Sequence, residues 1–445
     1  MQSRIEELFT LVGLNKELKM VRSATSKDSP PMKSIIIVGD GMSDRPIVRL
    51  GLRTPLMTAQ KPNIDRIARK GRVGLFKSIP NGQPTESDVA NISILGYDPA
   101  KSVQGRAVLE AASLGVDLEP SDVALRCNLI AIECGRIKNH SAGHISTEES
   151  RELIRSLNEE LGGGRSEMPV MFHSGVSYRH LLVLTNGWAS PEVECVPPHD
   201  HVGEKVSDLL PRALDQSTEK TRLRLVELYE RSLKILAGHP VNLARRAVGK
   251  DVAAAIWPWS PGRRPAMRTL QELYGIRGAV ISAVDLVKGL GCYAGMEIIQ
   301  VPGATGLWDT NYEGKAEACL EALKDHDFVY VHVEATDEAS HSRNLDLKIR
   351  CIEQLDSRLV HPILTGLEKR GIEATVAVLS DHPTLVETGN HAGDPVPVAI
   401  WRQGVKSDAV QRFDEQEAAH GSLGIMQGDE LIRQVLDIPQ RTQCD

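Results

Sequence analysis

Two short stretches end apolar runs on acid and imidazole groups: EATDEASH at 334–341 follows DFVYVHV, and LSDHP at 379–383 follows ATVAVLS. Asp337 and His341 are spaced i, i+4, so a helix beginning there turns both the same way. Asp381 and His382 close the second run, Asp40 closes an earlier one in KSIIIVGDGMSD, and His391 sits in the glycine-rich GNHAGDP. Carboxylates and imidazoles mixed in this way suit Mn²⁺, Zn²⁺ or similar divalent ions. Six such ligands exceed the needs of one ion and match a pair roughly 3.5–4 Å apart that clamps a phosphoryl group. Singly, each serves as readily as a helix cap, a surface group or a satisfied core histidine. Asp337 alone could be a first-turn partner of the helix dipole. Their joint occurrence behind apolar runs points to metal.

Ser87, which opens SDVANISILGYDP, has two readings. It is a natural N-cap for the helix that this segment predicts. The same position suits a covalent phosphoryl acceptor, because free N–H groups at a helix N-terminus favour anions and a nearby metal can deprotonate the hydroxyl.

The elements that must position these groups alternate. A strand at Ile35–Val38 ends in Gly-Asp-Gly, where glycine permits close backbone approach. One helical segment is expected over TPLMTAQKPNIDRIARKG, with Ile64, Ile67 and Ala68 on one face, then a short strand GLF. Later, GAVI, DFVYVHV, ATVAVLS and VPVAIW read as strands, and LDLKIRCIEQLDSRLVHPILTGLEKRG as a long amphipathic helix. This rhythm predicts an α/β fold, a mostly parallel sheet sandwiched by helices. Its catalytic groups belong at the carboxyl ends of the strands. The stretch 106–274 is richer in Gly, Pro and charge and is expected to be a smaller α+β domain inserted into a core of 33–105 and 275–435. Residues 1–31 read as an extension, an amphipathic helix followed by the linker SATSKDSPP.

Composition narrows the classes. With 445 residues, 41% hydrophobic and 25% charged, the chain has material for two or three domains. A net charge of −7 and the lack of a basic, aromatic-interleaved run argue against nucleic acid. No apolar run approaches the roughly 18 residues of a membrane span. The seven cysteines, at 127, 134, 195, 292, 319, 351 and 444, form neither CxxC nor zinc spacings. A reduced, cytoplasmic protein is expected, as a monomer or a homo-oligomer.

VGDGMSD, SDVANISILGYDP, VHVEATDEASH, LSDHP and NHAGDPVPV, in that order, resemble the alkaline phosphatase superfamily. Within it they resemble the archaeal-type cofactor-independent phosphoglycerate mutases and their bacterial relatives. NHSAGHISTEES, GVSYRHLLVL, PPHDHVGE, HPVNLARRAVGK and VPGATGLWDTNYEGKA extend the resemblance, which runs from about residue 33 to 430. It implies two divalent metal ions, with Mn²⁺ foremost and Mg²⁺, Co²⁺ or Zn²⁺ as alternatives. Asp40, Ser87, Asp381 and His382 would surround one ion, and Asp337, His341 and His391 the other. Ser87 would be transiently phosphorylated while 3-phosphoglycerate and 2-phosphoglycerate interconvert. His144, Arg179, His180, His199, Asp200, Arg263 and Arg264 would hold the phosphorylated acid, with Asp200 or His199 shuttling the proton.

The match departs in places. Relatives commonly carry Pro-Gly or Gly-Gly before the serine, where this chain has Thr85 and Glu86, and an anionic Glu86 would repel a phosphoryl group unless it points away. Ala254, Ser260 and Pro261 in AAAIWPWSPGRR also depart, removing an amide donor and stiffening a loop beside the expected arginines. GAVISAVDLVKGLGCYAGM and VPGATGLWDTNYEGKA look closer to a bacterial subgroup proposed to be homoserine kinases. No GxxxxGK[ST] loop is present to bind ATP in the usual way. A homoserine kinase-like phosphotransferase and a phosphomonoesterase therefore stand as alternatives.

Overall fold

The computed structural model describes residues 32–102, 105–162 and 167–439. The helix and linker expected over 1–31 lie outside them. The strands, in chain order, are β1 (Lys33–Gly39), β2 (Arg72–Phe76), β3 (Val123–Glu133), β4 (Arg136–Asn139), β5 (Val170–His173), β6 (Arg179–Leu184), β7 (Ala255–Arg263) and β8 (Gly278–Ile281). They continue with β9 (Glu297–Ile298), β10 (Phe328–Val333), β11 (Ala374–Ser380), β12 (Thr384–Leu385), β13 (Asn390–His391), β14 (Val396–Trp401) and β15 (Gly424–Met426).

The main sheet has the order β15-β2-β14-β11-β1-β10-β8-β9. β10 and β11 flank β1 in parallel, β8 and β9 continue parallel, and β14 runs antiparallel to both β11 and β2. β10 and β11 are buried along their whole length and β1 from its second residue. Their unbroken apolar runs are what strands covered on both faces require. Gly39 pairs with Val333 on one side and Ser380 on the other, so the three strands end level. That register brings Asp40, Glu334 and Asp381 to one edge.

Two elements differ from expectation. The segment 54–71 forms two helices, Pro55–Thr58 and Pro62–Lys70, because a proline at 62 disfavours helical backbone at Lys61. Ile64, Ile67 and Ala68 are buried as expected. The long helix after β10 contains a π-helical stretch, Leu355–Val360, between Leu345–Gln354 and His361–Arg370.

A second sheet, β4-β3-β6-β5 with β7 alongside β3, is built wholly from residues 123–263. Leu125, Leu129 and Ile256 of this sheet pack against Leu153, Leu157, Leu225 and Leu228 of the helices Thr147–Leu161 and Glu219–Ala237. The helix Arg106–Ser113 packs with Asp285–Tyr293 and with β3, β6 and β7 of the second sheet, and its Ala107, Val108 and Leu109 join the hydrophobic cluster that includes Ile36 and Val38 of β1. Gly289 permits that contact, since an added Cβ would lie 1.9 Å from the Leu109 carbonyl oxygen. No helix among the described residues is long and apolar enough to cross a membrane. No disulfide forms among the described cysteines.

Candidate active site

The level ends of β1, β10 and β11 gather the groups expected from sequence. Asp40 follows β1, Asp337 and His341 lie on the helix Ala335–His341 after β10, Asp381 and His382 follow β11, and His391 closes β13. They form two donor sets, Asp40–Asp381–His382 and Asp337–His341–His391, with ligand atoms within 4.8 Å of one another in each. Gly41 has φ +59°, and a Cβ there would come within 2.5 Å of Asp337 Oδ1 and of Thr384 Oγ1, so only glycine fits the turn between the sets.

Ser87 is the first residue of the helix Ser87–Ile94, behind an extended Glu86, and it makes no capping bond. Its hydroxyl instead lies 3.0 Å from His382 Nε2, beside the Asp40–Asp381–His382 set, and the N-cap position falls to Glu86. Asn91, one turn on, donates to the Ser87 carbonyl (2.7 Å) and to Asp381 Oδ2 (2.9 Å). It accepts from the buried Tyr330 hydroxyl, which fixes the amide's orientation. Gly41 and His382 N–H groups hold Asp381 Oδ1 at 3.0 and 2.8 Å.

The hydrogen bonds around the imidazoles test whether these sets suit cations. His341 Nδ1 lies 2.8 Å from the Gly389 carbonyl and His391 Nδ1 2.9 Å from that of Thr85. A carbonyl only accepts, so both rings carry a proton on Nδ1 and turn Nε2 inward. Those two Nε2 atoms are 3.0 Å apart, and they lie 3.0 and 3.5 Å from the Asp337 carboxylate. Two imidazole nitrogens and a carboxylate at that range need positive charge between them, which a proton on Nε2 or a cation in its place supplies. In the other set the Asp40 Oδ1 is buried with no hydrogen-bond partner. Thr384, which sequence reading missed, ties the sets together. It donates to Asp337 Oδ1 (2.5 Å) and lies 3.2 Å from His382 Nδ1, leaving His382 Nε2 free for the centre. Both sets fit divalent cations.

The electrostatics agree. Burial pushes the Asp40 carboxyl well up, and Asp381 and Glu334 add to it. Burial acts upward on Asp337 too, but hydrogen bonds from His341 and His391 outweigh it and hold the carboxyl well below its usual range. The Asp337 contact pushes His341 up to about 9. Burial lowers His382.

The residues expected to hold substrate divide. His144, His199 and the unexpected His140 lie together beside Tyr178, and burial with its two histidine neighbours lowers His140. Trp259 makes an edge contact with His199 (5.3 Å between ring centroids) and has the Arg126 guanidinium over its ring (4.2 Å). Asp200 is exposed, 3.6 Å from His199. Arg179 is exposed, with its charge felt at Arg126. His180, next along β6, is a correction. It is 2% exposed, accepts from Gly175 N–H at 3.1 Å, and burial lowers it to about 3, so it supplies no cation. Arg263 donates to the Ala189 carbonyl (2.7 Å) and Arg264 to Asp117 and the Leu118 carbonyl (2.9 and 3.1 Å), while Arg263 Nε is buried without a partner and the Arg264 side chain stays partly exposed.

Arg126 and Arg106 were not foreseen. A register shift between β3 and β7 sets Arg126 opposite Trp259, and Glu110 holds its guanidinium at 2.9 Å. Arg106 pairs with Glu86 at 2.6 Å, which offsets the negative charge beside Ser87. Ser260 and Pro261 meet the start of the Arg106–Ser113 helix. Ser260 Oγ accepts from Arg106 N–H (3.2 Å), and a Cβ at Gly105 would lie 2.4 Å from the Pro261 carbonyl oxygen. Ala254 gives its N–H to Ile130 O at 2.8 Å. Ser260 and Pro261 therefore meet the Gly105–Arg106 turn that leads into that helix.

A family profile described as 2,3-bisphosphoglycerate-independent phosphoglycerate mutase matches residues 68–242. A protein of that name from Methanosarcina acetivorans is 50% identical over 408 residues, covering 92% of this chain and all of the relative. Its namesake numbered 2 in Methanothermobacter thermautotrophicus is 47% identical over 407 residues, 91% of this chain and 98% of the relative. The solved cofactor-independent phosphoglycerate mutase of Thermoplasma acidophilum superposes with a TM-score of 0.67 at 31% identity, over 91% of this chain and 99% of that one. With relatives this similar matched along their full length and the backbone in common, the chain belongs to the 2,3-bisphosphoglycerate-independent phosphoglycerate mutase family.

Proposed function

We propose that this chain interconverts 3-phosphoglycerate and 2-phosphoglycerate by way of a phosphorylated Ser87. The observation that carries the reading is the Ser87 hydroxyl, 3.0 Å from His382 Nε2 and at the first turn of a helix. A cap needs no imidazole there; a nucleophile does. Asp40, Ser87, Asp381 and His382 would hold one divalent ion and Asp337, His341 and His391 another, with Mn²⁺ the best match to the mixed donors. When bound, the pair supplies positive charge that offsets the transferring phosphoryl oxygens.

Ser87 Oγ, its proton lost to solvent, would attack phosphorus as the bond from phosphorus to the 3-oxygen breaks. That oxygen takes a proton from Asp200 or His199 as glycerate is released, and N–H groups of the serine's own helix face the incoming anion. Asn91 and Tyr330 keep the serine and Asp381 in register. Glycerate stays, turns, and its 2-hydroxyl takes the group back. Asp200 or His199 carries the proton between hydroxyls. Arg126 and Arg179, with His144 and His140, offer the planar and polar donors that a carboxylate-bearing phosphate ester needs. Water must be kept from phosphorylated Ser87, or transfer becomes hydrolysis.

The test supplies purified protein and Mn²⁺ with 3-phosphoglycerate, with homoserine plus ATP, and with a generic phosphomonoester. Formation of 2-phosphoglycerate is expected, and its absence alongside phosphohomoserine would sink the reading. Ser87→Ala should lower the rate by on the order of 10⁴-fold or more. An undiminished rate removes the covalent route.

A further inference from the structure

Lys348 occupies a position where helical patterning calls for an apolar residue. The buried residues of the helix Leu345–Gln354 are Leu345, Lys348, Cys351 and Ile352, one stripe at helical spacing. The lysine side chain is 0% exposed, and lysine is almost never buried so completely unless its charge is paired. An ammonium carries three N–H donors, each of which needs an acceptor away from water. Here each has one. Nζ donates to the Ser43 carbonyl (3.0 Å), to Asp44 Oδ2 (2.9 Å) and to the Thr384 carbonyl (2.7 Å).

Those acceptors lie on the two turns that leave β1 and β11 and carry Asp40, Asp381 and His382. Other bonds run along the same seam. Ser43 N–H donates to Ser380 Oγ (3.2 Å), which donates in turn to the His382 carbonyl (2.7 Å). Thr384 N–H donates to the Ser43 carbonyl (3.2 Å), and Val386 N–H to Asp44 Oδ2 (3.1 Å). Lys348 therefore grips both turns from one point, on a helix that follows the one bearing Asp337 and His341. The second donor set is reached through Thr384. Its hydroxyl donates to Asp337 Oδ1 and faces His382 Nδ1, and its backbone carbonyl is the one that Lys348 holds.

As an ion pair with Asp44 alone, the lysine would add little, because well-packed apolar groups often replace a buried pair without loss of stability. What the ammonium adds is direction, in bonds to two turns that an apolar side chain cannot make. We propose, on the dinuclear reading of the site, that Lys348 is a positioning residue for the metal centre. It fixes the turn 40–44 against the turn 381–386 and, through Thr384, holds the two donor sets in register.

The test compares the full chain with the paired variant Lys348→Met plus Asp44→Asn, which removes both charges and leaves neither unpaired. Each protein is stripped with chelator and titrated calorimetrically with Mn²⁺ alone, and its unfolding midpoint in denaturant is measured. The midpoint should hold, while Mn²⁺ affinity falls about 10–100-fold, the loss that follows when groups orienting metal ligands are removed. A folded paired variant with unchanged affinity would overturn the proposal and reduce Lys348 to half of an ion pair. If that variant fails to fold, Thr384→Val, which keeps the side chain's shape, decides. A tenfold or greater loss of affinity supports the relay, and an unchanged affinity overturns it. Fewer than two Mn²⁺ on the unaltered chain would instead overturn the dinuclear reading, and this role of Lys348 with it.

Discussion

His341 shows how one residue joins fold, charge and metal uptake. Its Nδ1 is committed to the Gly389 carbonyl, so every gain or loss of charge occurs at Nε2, the atom that faces Asp337 and His391. With Asp337 holding its pKa up at about 9, the metal-free protein keeps an extra proton there through neutral pH. A cation must displace it, so Mn²⁺ affinity should climb about tenfold per pH unit from pH 6 toward 9 and then level. Calorimetry in buffers of differing ionisation enthalpy should count about one proton released per chain at pH 7.5 from this group. The same shift sets a sign for metal-free stability. A histidine whose folded pKa is raised contributes fully below its unfolded value near 6.5 and loses that contribution as pH rises through about 9. A metal affinity flat across this range would contradict the assignment. The gathering of these donors was legible because Asp and His after apolar runs are unusual. The locking bonds were not, since Gly389, Thr85 and Thr384 act through backbone or through contacts that folding alone creates.

At the scale of elements, the π-helical stretch Leu355–Val360 has a task that periodicity does not reveal. Sequence predicts one uninterrupted helix there, and the apolar spacing of α and π turns is too alike to separate them. The wider turn brings Asp356, 1% exposed, under the start of the Pro62–Lys70 helix. Its Oδ1 accepts from the N–H groups of Asn63 (2.9 Å) and Ile64 (2.7 Å), and Oδ2 from Asn63 Nδ2 (2.7 Å). Those donors have no partner within their own helix, so a distant carboxylate performs the capping that Lys61 cannot. Asp356→Ala leaves buried N–H groups unpaired and should cost about 1–3 kcal/mol in denaturant unfolding. Asp356→Asn, which keeps the Oδ1 acceptor, should cost less. Equal midpoints for Asp356→Ala and the unaltered protein would show that the cap is idle. By contrast β1, β10 and β11 were plain in the sequence, because burial on both faces demands unbroken apolar runs.

For the whole molecule, the question is how the second sheet serves the metal-binding edge of the first. Arg106, at the start of a helix packed against the second sheet and the helix Asp285–Tyr293, pairs with Glu86 beside Ser87, and Arg126 of the second sheet pairs with Glu110 of that same helix. A line of charge thus runs from the flank of Ser87 into the histidine cluster around His199. Sequence pointed to Arg179, His180, Arg263 and Arg264, whose motif positions looked right. Strand geometry separates the first two, for Arg179 faces out of β6 while its neighbour His180 turns inward. Arg126 carried no local signal, because its aim comes from a register shift between strands more than a hundred residues apart. Arg126→Lys tests the arrangement while keeping a positive charge opposite the largely buried Glu110. Lysine has neither the fork nor the flat face that lies 4.2 Å over Trp259. Losing one charge-assisted contact of about 1.4 kcal/mol corresponds to about tenfold in affinity. KM for 3-phosphoglycerate should therefore rise about tenfold, while Mn²⁺ stoichiometry and unfolding midpoint hold steady. A KM unchanged in Arg126→Lys would mean that the guanidinium braces Glu110 and Trp259 without meeting substrate.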